Sequence, residues 1–156
     1  MSNFPRFRPI TLYRLPTVEV TPADIYALNT TPKLLFAAQD GYLNIPVLGH
    51  LYREAGVAYV ANGATQLQVR VVGSASAFLN TFNLASLTDT VAATVTLYGP
   101  NTTAGTQLSG SHAAANFLNA GIELFAAGGN PTTGTGSLFL TVWCHHWPHA
   151  RLTSGQ

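Results

Sequence analysis

Two stretches of this chain alternate strictly between two kinds of side chain, and that pattern does most to limit the fold. From Gln66 to Val72, the polar Gln66, Gln68 and Arg70 interleave with Leu67, Val69 and Val71. From Thr90 to Tyr98, Thr90, Ala92, Thr94 and Thr96 interleave with Val91, Ala93, Val95 and Leu97. Successive side chains of a strand point to opposite faces, so a period of two makes a ribbon with one wet side and one buried side. A helix would scatter the same apolar residues around its circumference. An apolar ribbon face must lie against another layer, which commits the chain to packed β-sheets.

The remaining text is strand and turn. Lys33–Ala38, Leu43–Arg53, Val57–Ala61, Ile122–Ala127 and Leu138–His146 are short apolar or mixed runs that read as strands. Asp40-Gly41 and Asn62-Gly63 are hairpin signals, because these residues accept the positive φ of tight turns. Phe78–Leu87 has mixed character and reads as a loop with a helical turn, and Gly99–Gly110 reads as a loop. One helix start is present. Thr21 caps it, Pro22 takes the first helical position and Asp24 sits in the first turn, giving a helical turn over Pro22–Leu28. Pro5, Pro9 and Pro16 exclude helix and central strand from Ser2–Pro16. The expectation is an all-β chain with a single antiparallel β-sandwich or jelly-roll domain over residues 20–147. An extended N-terminal arm over 1–19, removable through Arg14 without unfolding the domain, and a short tail over 148–156 flank it.

Charge narrows the function. Only 8% of the 156 residues are charged, against roughly 25% in an ordinary globular domain. Between Val71 and Ala150 there is no Lys or Arg, and the only acids are Asp89 and Glu123. Surface charge keeps free proteins apart, so a chain this bare is expected to hide surface against other subunits. The alternative is a monomer kept wet by its many Thr, Ser, Asn and Gln residues. The net charge of +1 lacks the basic stripe of a nucleic-acid binder. The absence of a long apolar run argues against a membrane span, and the first residues lack the apolar core of a signal peptide.

Few residues offer chemistry. Trp143-Cys144-His145-His146-Trp147-Pro148-His149 is the one dense cluster. On a strand Cys144 and His146 share a face and His145 takes the other, so they are weak metal candidates that need further ligands. His112 has only Ser109 and Ser111 beside it, and the six acids are scattered, so no catalytic residue and no cofactor is expected. Trp143 and Trp147 are read as core or as anchors for a partner. In the arm, Phe4, Arg6, Phe7, Arg8, Tyr13 and Arg14 mix aromatics with guanidinium groups, a composition enriched at protein interfaces.

The run Val20-Thr21-Pro22-Ala23-Asp24-Ile25-Tyr26-Ala27-Leu28-Asn29-Thr30-Thr31-Pro32-Lys33-Leu34-Leu35-Phe36 resembles the opening of small structural proteins of tailed bacteriophages. The later order of Gln39–Tyr42, Leu43–Arg53, Ala58-Tyr59 and Gly134–Val142 fits the same pattern. The resemblance implies a β-sandwich or jelly-roll module on the virion, made in the host cytoplasm. Its implied role is capsid decoration, as a cement protein that binds across neighbouring major capsid subunits. Its partners would be the major capsid protein and other copies of itself, a trimer suiting a three-fold site. The alternative is a tail or fibre component that recognises a host glycan through Tyr98, Trp143 and Trp147.

Overall fold

The computed structural model describes residues 12–73, 82–83, 85–88, 94–98 and 117–148. Its strands are β1 (Leu12–Arg14), β2 (Val18–Val20), β3 (Lys33–Phe36), β4 (Tyr42–Arg53), β5 (Gln66–Val71), β6 (Phe82–Asn83), β7 (Thr94–Tyr98), β8 (Ile122–Ala127) and β9 (Leu138–Pro148). Two short helices, α1 (Pro22–Ile25) and α2 (Ala85–Thr88), lie between them. Among the described residues no helix is long and apolar enough to cross a membrane.

The strands form two antiparallel sheets. In the first, β1 and β2 lie end to end along one side of β9, β4 lies along the other, and β7 follows β4. In the second the order is β3–β8–β5–β6. With β1 and β2 counted as one edge, the first strand of the chain lies beside the last, and the last beside the third. Every connection except β5 to β6 passes from one sheet to the other. This order is the jelly roll, one arrangement by which a double sheet manages its edges.

The alternation read from the sequence builds the core. Leu67 and Val69 of β5 point inward, against Ile122, Leu124 and Ala126 of β8 and Leu138, Leu140, Val142 and Cys144 of β9, and Val71 packs with Leu43 and Phe117 in a second cluster. Ile25 and Leu28 of the helical segment close one end of this core. The expected cap is present as a complete capping box. The Asp24 amide donates to Thr21 Oγ1, and the Thr21 amide donates to Asp24 Oδ2 at 2.9 Å. The helix proper is shorter than expected and ends at Ile25, with turns continuing to Thr30.

Several boundaries are corrected. The sandwich starts at Leu12 instead of residue 20, since β1 and β2 both pair with β9. The inner half of the expected arm is therefore an edge strand, and a deletion through Arg14 would remove β1. Pro16 and Thr17 both fall opposite Thr141, between the Leu15–Val142 and Val18–Leu140 pairings. A proline is tolerated at such an edge bulge because no ladder bond is asked of it. At the other end β9 runs through Pro148.

Val57–Ala61 is not a strand. Only Val60 makes a bridge, to Thr132. Its neighbours are tied to the loop before β9 instead. The Val57 amide donates to Thr135 Oγ1 at 2.8 Å, and Tyr59 Oη donates to the Gly136 carbonyl at 2.8 Å. Both hairpin signals make turns, yet neither joins a hairpin. Asn62 and Gly63 adopt φ of 45° and 85°, and the Ala64 amide donates to the Ala61 carbonyl. The residues flanking this turn pair elsewhere, Val60 with Thr132 and β5 with β6 and β8. Asp40-Gly41 carries the chain from β3 in one sheet to β4 in the other.

Gly134 is a tightly constrained turn residue. Its φ is 103°, and a Cβ there would lie 2.8 Å from the Tyr59 ring. Left-handed strain and overpacking each cost about 1–3 kcal/mol. Gly134→Ala is therefore expected to destabilise the fold by about 2–4 kcal/mol, read as a lower midpoint in urea unfolding with an unchanged m-value.

Candidate interaction surface

The outer face of the first sheet carries the side chains of interest. Along β9, Phe139, Thr141, Trp143, His145 and Trp147 occupy the positions between the inward Leu138, Leu140, Val142 and Cys144. Across the ladder, Tyr52 stands opposite Phe139, Leu48 opposite Trp143 and Ile45 opposite His145. The Tyr52 and Phe139 rings are 6.0 Å apart, and the His145 imidazole stacks on Trp147 at 5.0 Å. An antiparallel sandwich usually turns polar residues outward. This face is aromatic and aliphatic, and Tyr52 (36% exposed) and Leu12 (43%) reach solvent most.

Charge enters at the edge strand. Arg14 lies opposite Trp143, with its guanidinium carbon 5.9 Å from the ring centroid. That distance is within the range of a cation–π contact. Glu19 lies opposite Phe139. Its Oε1 accepts from Ser137 Oγ at 2.8 Å, and Glu54 Oε2 accepts from the Ser137 amide at 3.2 Å. One end of the face thus carries Arg14, and the other carries two carboxylates.

The expected partner-binding residues divide accordingly. Arg14, Trp143 and Trp147 share the outer face, and Arg14 meets Trp143 directly. Tyr13 is 48% exposed but belongs to the opposite side of β1. Phe4, Arg6, Phe7 and Arg8 lie outside the described residues. Tyr98 is in β7, in register with Gly49, two strands away from β9.

Cys144 and His146 do share the inner side of β9, but they meet different surroundings. Cys144 is fully buried in the main apolar core, and burial pushes its thiol up to about 11. A metal ligand or nucleophile must be a thiolate, which this site disfavours. His146 sits in a box of rings. It stacks on Tyr42 at 4.3 Å, with Tyr13 at 5.5 Å and Phe36 edge-on at 6.2 Å. Its Nδ1 lies 2.6 Å from Asn44 Oδ1, and the buried Asn44 donates through Nδ2 to the Ala120 carbonyl at 3.0 Å. Asn44 thus presents its carbonyl oxygen to His146, and a neutral imidazole donates to it. Among the described residues no three His, Cys, Asp or Glu side chains gather as a metal site would require.

Two groupings escape sequence reading. The box around His146 needs Phe36 of the second sheet beside Tyr42 and Asn44 of the first. Arg70 and Glu123 pair at 2.7 Å, with the guanidinium 3.6 Å from the Phe125 ring. Arg70 is a polar position of the alternating Gln66–Val72 stretch, but only the β5–β8 register joins it to Glu123.

Burial holds His145 and His146 below the ordinary histidine value of 6.5. The folded state then binds the neutral rings, whereas the unfolded chain takes up protons near the ordinary value. Stability is full above about pH 6.5 and falls as the pH drops below it. The melting temperature is expected to decline between pH 7 and pH 5, and the decline should be shallower in His146→Gln. An unchanged slope in that variant would exclude His146 as a cause.

Comparison of the chain with protein-family models, with curated protein sequences and with solved structures finds no match in any of the three.

Proposed function

We propose that this chain is a structural component of a bacteriophage particle, a jelly-roll module that decorates the capsid and cements neighbouring subunits of the major capsid protein. The observation that carries this reading is the aromatic outer face of the first sheet. Apolar sheet faces of this size on soluble proteins mark contact surfaces. Four of the five described acids support contact over catalysis. Asp24 is held by Lys33 and the helix cap, Glu123 by Arg70, and Glu19 and Glu54 by Ser137. Jelly rolls serve in viral capsids and also in lectin domains, so the fold suits both the cement role and a glycan-binding tail component.

The mechanism is apolar burial at the face together with the N-terminal arm. The chain enters the sandwich through an edge strand, and a segment carrying Phe4, Arg6, Phe7 and Arg8 precedes it in the sequence. Weak single contacts suffice on a shell, because many copies engage one lattice.

Quantitative mass spectrometry of purified particles tests the role. Cement predicts on the order of hundreds of copies per particle, as multivalent coverage of a shell requires. A handful of copies would move the chain to the tail and support glycan recognition, and its absence from particles would overturn the reading. Deletion of residues 2–11 should leave β1 and the sandwich intact and abolish attachment. Full decoration by the truncated chain would remove the arm from the mechanism.

A further inference from the structure

We infer that the outer face of the first sheet is a two-fold contact between copies of this chain, with Arg14 of each copy pairing with Glu19 of the other. This pairing goes beyond the particle reading and does not depend on it.

Arg14, Trp143 and Leu48 stand in one row across the sheet, and Glu19, Phe139 and Tyr52 stand in another. Thr141 lies midway between the rows on β9, opposite His50 on β4 and beside Thr17 at the edge. A two-fold axis in the interface plane, running across the strands at Thr141, exchanges the two rows. Arg14 of one copy then faces Glu19 of its partner, Trp143 faces Phe139, and Leu48 faces Tyr52. Each contact occurs twice, as a self-complementary two-fold interface demands. Both rows match in kind, a cation with an anion and an apolar side chain with an apolar side chain. Glu54 adds a second carboxylate near Glu19, since both accept hydrogen bonds from Ser137.

The face also approaches the size of a specific interface. Three strand positions run the length of β9 from Leu138 to His145, and β7 adds a fourth opposite Leu138–Val142. At about 3.4 Å per residue and about 4.8 Å per strand, the three full-length positions measure about 27 Å by 14 Å, and β7 adds about 17 Å by 5 Å. Two copies would cover about 900 Å² of flat area, and side-chain relief raises the true figure toward the lower bound for a specific interface. Sheets pack face to face at about 10 Å with their strands near −30°, a geometry this antiparallel pairing accepts. No like charges oppose it, because Arg14 and Glu19 are the charged residues among the described members of the two rows.

Sedimentation velocity of the full chain tests the contact, with circular dichroism as the control for folding. The wild-type chain should sediment as a dimer that dissociates on dilution. Arg14→Glu and Glu19→Arg should each raise the dissociation constant about 10- to 100-fold, because symmetry applies each change twice. The double swap should restore the dimer, which no loss of folding can imitate. Tyr52→Glu, at the centre of the apolar row, should give a folded monomer. A wild-type chain that stays monomeric at all attainable concentrations would overturn the contact. So would an oligomer that ignores both charge reversals, or a double swap that fails to restore it. Particle copy number reports separately on the proposed role, so either idea can fail without the other.

Discussion

The ladder between β4 and β9 holds the rest of the structure in place. It pairs Tyr42 through Arg53 with Pro148 through Leu138, broken only by a bulge at Val47. β9 is the last described strand and β4 the third position of the roll, so this pairing closes a loop over most of the chain. The N-terminal strands then dock on the free side of β9. Without β9 they would have no partner, and the first sheet would lose its centre. Such long-range closure makes folding slow, because loop entropy is lost before the contacts form. It also makes the two ends of the sequence interdependent in stability.

Polar anchors at both ends of the sandwich keep this ladder in register. At one end His146 and Asn44 bond across the two strands, and Asn44 reaches on to Ala120 just before β8. At the other end Ser137 receives Glu19 from the edge strand and Glu54 from beyond β4. A slip of one residue would break these bonds and turn every inward Leu and Val outward. Buried polar groups tolerate few partners, so these bonds specify register more sharply than the apolar core does.

The outer face follows from the same ladder. Because β9 is apolar on both sides, its alternation does not resolve into a wet face and a dry one. Phe139, Trp143 and Trp147 must be placed somewhere, and the fold leaves them on the side away from the core. Arg14 partly covers Trp143, but the neighbouring Leu12 and Tyr52 remain exposed. Charge is also scarce along residues 71–150. Both features support the proposed cement role and the proposed pairing of copies.

The sequence by itself determined the class of fold and its local geometry. Alternation in Gln66–Val71, the capped turn at Thr21 and the positive-φ turns at Gly41 and Asn62-Gly63 are all local properties, set by sterics within a few residues. The shared side of Cys144 and His146 was legible for the same reason. Tertiary structure decided every choice of partner. Turn chemistry says that the chain reverses and is silent on which strand it meets, so two good hairpin signals became a change of sheet and a lone turn. The edge role of Leu12–Val20 was hidden because pairing with β9 spans more than a hundred residues. Only strand register brought Arg14 onto Trp143, Arg70 to Glu123 and His146 into its ring box, since cross-strand contacts depend on alignment and leave no trace in linear spacing.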